Sequence, residues 1–287
     1  MSSKVYFTKD ISPEGVVKVY RALGTELGGR VAVKVHSGEK GNQNFLTPDF
    51  WKPVFELVGG TAVECNTAYN GERNVTERHK RLMEYHGWSK YFDVDILDAE
   101  GPDKVLDIPY GKRIKKNYVG KDIENYDSML VLSHFKGHPM GGYGGALKQL
   151  SIGVASSYGK AYIHGAGDPK KLWSADHDSF LESMADAALS VVEYFDGKCA
   201  YINVMKNMSV DCDCCAVAED PCIPDIGILA SLDPVAIDKA CVDLVYSCDA
   251  PRKDHLIERI ESRNGVHTIE AAELLGVGCS DYELVEI

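Results

Sequence analysis

Ser12-Pro-Glu-Gly-Val-Val-Lys-Val-Tyr-Arg-Ala-Leu-Gly-Thr-Glu-Leu-Gly-Gly-Arg-Val-Ala-Val-Lys-Val35 is the stretch on which the fold turns. Ser12 and Pro13 are an N-cap and a first-turn proline, so a helix should follow them. Val16, Tyr20, Leu23 and Leu27 recur at three- and four-residue spacing, and Gly28-Gly29 ends the pattern. Residues 31–35 are then continuously apolar but for Lys34, which predicts a buried strand. With a short strand at residues 5–7, the opening is β-α-β.

The same alternation continues outward. Thr47-Pro48 opens a second helix, Gly59-Gly60 closes it, and residues 61–65 form the next strand. Further strands are expected at 94–97, 129–132, 200–204 and 226–230. A core helix should begin at Ser179, with Glu182 in capping-box spacing, and present Leu181, Met184, Ala188, Val191 and Phe195 before Gly197. Asp233-Pro234 caps another helix carrying Ala236, Ala240 and Leu244. The pattern predicts a layered α/β protein with a mixed or mostly parallel sheet, helices on both faces and elaborated loops. With no internal repeat or long linker, residues 1–287 are expected to form one domain, although a two-lobed arrangement also suits 287 residues.

A formal net charge of −12 opposes binding to a phosphate backbone or an anionic leaflet, so neither nucleic acid nor membrane is an expected partner. The one basic run, Lys112, Arg113, Lys115 and Lys116, is expected in a solvated loop or hairpin. There is no apolar leader, and no uncharged apolar run reaches the roughly 18 residues of a membrane span, so a reducing, cytoplasmic setting is expected. Nine cysteines there argue for free thiols, metal ligation or redox chemistry before disulfides. Their density suggests a low-oxygen setting.

Three loop constellations could carry chemistry. The segment 133–148 follows a strand and holds His134, Lys136, His138, Lys148 and five glycines. Glycines let backbone N–H groups approach an anion, the lysines supply charge, and a histidine supplies a proton or a metal-binding nitrogen. Its spacing matches no phosphate-binding loop. The plain alternative is tight turns with ordinary polar residues.

The second, Asp211-Cys-Asp-Cys-Cys-Ala-Val-Ala-Glu-Asp-Pro-Cys222, offers Cys212, Cys214, Cys215 and Cys222 as soft ligands for zinc, copper or an iron–sulfur cluster. Asp211 and Asp213 should raise a neighbouring thiol pKa, which argues against a lone activated nucleophile without a metal or cation beside it. The spacing is not that of a zinc ribbon or a ferredoxin, and a loop with one or two functional thiols is the plainer alternative.

The third comprises Lys34 and His36 after the second strand and Asn66 and Arg73 after the third. If these strands are parallel, their ends meet the Lys136 loop in one polar crevice suited to a small anion. His164, in a glycine-bounded turn, joins as a further acid–base candidate. Any of these could equally be a solvated turn residue.

Taken together, Lys34-Val-His-Ser-Gly-Glu-Lys-Gly-Asn42, His134-Phe-Lys-Gly-His138, Gly144-Gly-Ala-Leu-Lys148, Cys212-Asp-Cys214 and Pro224-Asp-Ile-Gly-Ile-Leu-Ala-Ser-Leu-Asp-Pro-Val-Ala236 resemble an uncharacterised iron–sulfur centre protein family, domain of unknown function 362. The resemblance implies an iron–sulfur protein. Many such proteins carry an inserted ferredoxin-like module, which this chain lacks, so a cluster would have to be held by the 212–222 run.

Three functions follow as expectations. The first is a metal-binding protein, iron–sulfur in kind, doing redox chemistry on a small anionic substrate with a redox partner protein. The second is a non-redox isomerase, lyase or hydrolase built on the histidines and lysines, with an unidentified divalent metal. The third is a carrier of metal or cluster.

Overall fold

The computed structural model describes residues 2–287. The chain runs β1 (Ser3–Thr8), α1 (Pro13–Ala22), β2 (Val31–Lys34), α2 (Pro48–Val58), β3 (Thr61–Glu64), α3 (Thr76–Tyr85), α4 (Trp88–Tyr91), β4 (Val94–Ile96), and the hairpin of β5 (Lys104–Asp107) and β6 (Lys116–Val119). There follow β7 (Ser128–His134), the small hairpin of β8 (Lys136–His138) and β9 (Gly142–Gly144), then α5 (Ala146–Lys148), α6 (Ser157–His164) and α7 (His177–Tyr194). The remainder is β10 (Cys199–Met205), β11 (Gly227–Ser231), α8 (Pro234–Ser247), α9 (Lys253–Ser262), α10 (His267–Leu274) and β12 (Tyr282–Glu286).

An eight-stranded sheet in the order β12-β1-β11-β10-β7-β2-β3-β4 forms the centre. Only β11 runs against the other seven, since it is antiparallel to both β1 and β10 while every other pairing is parallel. Strands buried on both sides read as apolar runs, and side chains alternate between the two faces. Ala32, Val63, Met129, Val131 and Tyr201 pack with Phe180, Leu181, Val235 and Ile269. Val31, Val33, Ala62, Leu130 and Ile202 pack with Val16, Val19, Trp51 and Val54. The first face is thus covered by α7, α8 and α10, and the second by α1 and α2.

Several sequence expectations shift locally. The first helix is capped as expected, Ser12 Oγ accepting from Gly15 N. It stops at Ala22, before Leu27, because Gly24 adopts a left-handed φ of 64°. The core helix begins at His177 rather than Ser179, because Asp176 accepts from Ser179 N and is the true cap. Glu182 therefore makes no capping box; it pairs with Lys112, Arg113 and His267. The basic run joins β5 to β6 and is fixed by Asp186, which accepts from the backbone N–H groups of Lys112, Arg113 and Ile114.

The topology creates a crevice. From β2 the chain steps outward to β3 and β4, then returns to the other side of β2 to lay down β7 and β10. The loops leaving β2 and β7 therefore diverge, and this reversal of strand order is where open α/β sheets bind ligands.

Candidate metal and anion site

The crevice floor is a buried charge network. Lys34 ends β2, and its Nζ lies 2.7 Å from Oε2 of Glu64, which ends β3. Oε1 of Glu64 accepts from Ser37 N at 2.9 Å and stands 3.8 Å from Arg73, whose Nε donates to Glu39 at 3.2 Å. Burial alone would raise the Glu64 pKa, but Lys34 and the cationic groups around it hold it well below the carboxylate range. Burial lowers that of Lys34 despite its partner. Each of these charges has an opposite partner, as buried ions require.

A second layer comes from the segment after β7. It is not an open loop: β8 and β9 form a hairpin, and α5 follows directly. Asp238 on α8 anchors the start of α5, accepting from Ala146 N at 2.7 Å and Leu147 N at 2.9 Å. Gly145 is required there because a Cβ would meet Asp238 Oδ1 at 2.4 Å. Gly137 on β8 lies against the cysteine loop, its N donating to Ser209 O at 2.8 Å, and a Cβ there would stand 2.3 Å from Val210 O.

The cysteine loop leaves the end of β10 and is riveted by Asp213. This buried carboxylate lies 2.9 Å from both His134 Nδ1 and Lys136 Nζ. Burial would raise its pKa, but those two partners hold it well below the usual range. Asp213 is thus engaged with His134 and the Lys136 cation, and it is Lys148, with Nζ 3.6 Å from Sγ, that neighbours Cys212. The expectation that Asp213 would raise the thiol pKa is corrected accordingly. The hydrogen bond from Cys214, then Lys148 and Lys136, outweighs burial and holds Cys212 well below the ordinary thiol range. The same bond pushes Cys214 well up.

Cys212, Cys214 and His138 bring one ligand atom each within 4.8 Å of one another. Bonds of roughly 2.0–2.3 Å to one tetrahedral ion hold their donor atoms about 3.5–3.8 Å apart, so these three can reach a shared ion with small side-chain adjustments, and two thiolates with an imidazole suit a soft or borderline metal. His138 Nδ1 accepts from Gly141 N at 2.8 Å, which puts the proton of the neutral ring on Nε2. Ion binding through Nε2 therefore displaces a proton. Burial, then the charge of Lys148, lowers the His138 pKa to about 4.

His138 and Cys214 face a cleft of about 320 Å³, which Lys34, His36, Arg73, Lys148 and His164 also line. His164 ends α6 rather than lying in a turn. Its Nδ1 donates to Lys160 O at 2.7 Å, leaving the Nε2 lone pair free, and burial, then His138 and the lysines, lowers its pKa to about 3. Among the described residues, Lys148 and Lys160 make no ion pair with a carboxylate.

Some sequence candidates lie elsewhere. His134 and Lys136 sit behind the cysteine loop, holding Asp213. Asn66 is turned away from the cleft, bonded to Thr76 and Asp98. Cys215 is outside the three-residue group, its N donating to Cys212 O, and Cys222 Sγ donates to Met208 O instead. Lys160 and Trp173 line the cleft without having been singled out. Lys160 and Trp173 lie in or after an ordinary capped helix, where nothing in the local pattern marks them.

The model of the family described as Domain of unknown function (DUF362) matches residues 31–243. The chain belongs to that family. The match spans β2 through most of α8, and so includes every residue of the cleft named above. No curated protein matches the sequence. Among solved structures, a Thermotoga maritima protein is similar at a TM-score of 0.46 and 11% identity, over 91% of this chain and 58% of that one. The chain thus spans little more than half of that protein. Lactate racemase apoprotein from Thermoanaerobacterium thermosaccharolyticum is similar at a TM-score of 0.44 and 12% identity, over 98% of this chain and 82% of that one.

Proposed function

We propose that this DUF362 protein is a metal-dependent enzyme acting on a small organic anion in the cleft. The observation that carries the reading is the convergence of Cys212, Cys214 and His138 beside a cleft that also holds two lysines lacking carboxylate partners. Lys148 and Lys160 would bind the anion. His164, unprotonated at neutral pH, would accept a proton from it, and the bound anion would offset the lysine charges that weaken His164 as a base. A metal held by Cys212, Cys214 and His138 would supply Lewis-acid polarisation of a substrate oxygen. A set of three protein donors suits a single ion whose fourth position is open to substrate.

The test is metal content. Protein purified without oxygen should hold about one zinc, iron, nickel or copper per chain, lost in Cys212→Ser and Cys214→Ser and kept in Cys222→Ser. Iron with equimolar acid-labile sulfide would instead restore the iron–sulfur redox reading, with a redox partner protein. A metal-free wild type that binds no added ion would overturn the metal reading altogether.

A further inference from the structure

The cleft has two chemical ends. Lys148 and Lys160 lie inside, while Met140, Ile152, Leu172 and Trp173 present apolar surface along its walls and mouth. Trp173 is 66% exposed although it lines the cleft, whereas Trp51 and Trp88 are 3% and 0% exposed in the core. A large aromatic left in water beside a ligand site leaves apolar area for the ligand to cover. The volume of about 320 Å³ is roughly that of ten waters, too small for a dinucleotide but sufficient for a carboxylate bearing a ring or branched chain.

We propose that the substrate is an amphipathic carboxylate, its anionic group on Lys148 and Lys160 and its apolar group against Trp173, which makes Trp173 a specificity-determining residue. This rests on the anion-binding reading above. Trp173 follows the short turn Pro169–Lys171 between α6 and α7, so Lys170 and Lys171 bring positive charge to the segment leading into it, in a chain whose net charge is −12. An anion is thus drawn toward an entrance its apolar end then occupies.

The experiment compares 3-phenylpropionate with propionate by calorimetry on metal-loaded and metal-free protein, with tryptophan emission recorded in parallel. Since the other two tryptophans are buried, a change in emission from solvent-exposed indole reports Trp173. The phenyl compound should bind about tenfold or more tightly than propionate and blue-shift the emission. Trp173→Ala should bring the two affinities together while leaving propionate binding unchanged, and Lys148→Ala should weaken both. Equal affinities in wild type, or a preference that survives Trp173→Ala, would overturn the role of Trp173 while leaving the anion site standing. Failure of both ligands to bind either form would remove the anion-binding reading and this inference with it.

Discussion

Asp213 shows how differently neighbouring residues can be used. Cys212 and Cys214 offer sulfur to one site, while the residue between them holds His134 and Lys136. Lys136 is nearly fully buried, so removing its counter-charge leaves an uncompensated cation in the interior. Asp213→Asn should therefore cost about 3–5 kcal/mol, read as a lowered urea midpoint, whereas Cys214→Ser should cost far less. A midpoint for Asp213→Asn equal to that of the parent would refute the rivet. His134 and Lys136 stood out in the sequence because reactive residue types were dense there. Density located the neighbourhood correctly but could not say which side chains face the cleft and which serve as its backing.

At the scale of elements, the cysteine loop is positioned by contact between backbones. Gly137 on β8 leaves no room for a Cβ against Val210. Gly137→Ala must push the loop away, and should destabilise the fold by about 1–3 kcal/mol and reduce bound metal together. Elemental analysis of the folded variant is the check; full metal content would mean the hairpin does not set the loop. The strands and most helices were legible, because apolar runs and caps such as Ser12 and Asp233 act over a few residues. Tertiary accidents were not. The start of α7 moved to a cap at Asp176, and the glycine-rich segment after β7 proved to be a hairpin and a helical turn whose anchor, Asp238, lies far along the chain. The crevice itself could be anticipated from parallel strands, but its lining by Lys160 and Trp173 depends on α6 packing against β6 and α7.

For the whole molecule, buried neutral histidines set the acid limit. Burial holds His79 and His164 near about 3, and burial with Lys148 holds His138 near about 4, against roughly 6.5 in an unfolded chain. Below that value the unfolded state takes up protons the folded state refuses. Their contribution is therefore full above pH 6.5 and is lost as pH falls. At pH 5 the loss is roughly 2 kcal/mol for each. Asp238, lifted to about 6 by burial, has the opposite sign and returns about 1 kcal/mol over the same interval. The metal-free protein should accordingly be about 5 kcal/mol less stable at pH 5 than at pH 7.5 by urea unfolding; equal stability would show that these rings are protonated in the fold.

The double duty of residues 212–214 also decides how the site is filled. Because Asp213 is locked by His134 and Lys136 whether or not sulfur is engaged, the receptacle keeps its shape when empty. Loading and stripping should then proceed without refolding, as for a socket, in contrast to small zinc modules that collapse when their ion is removed.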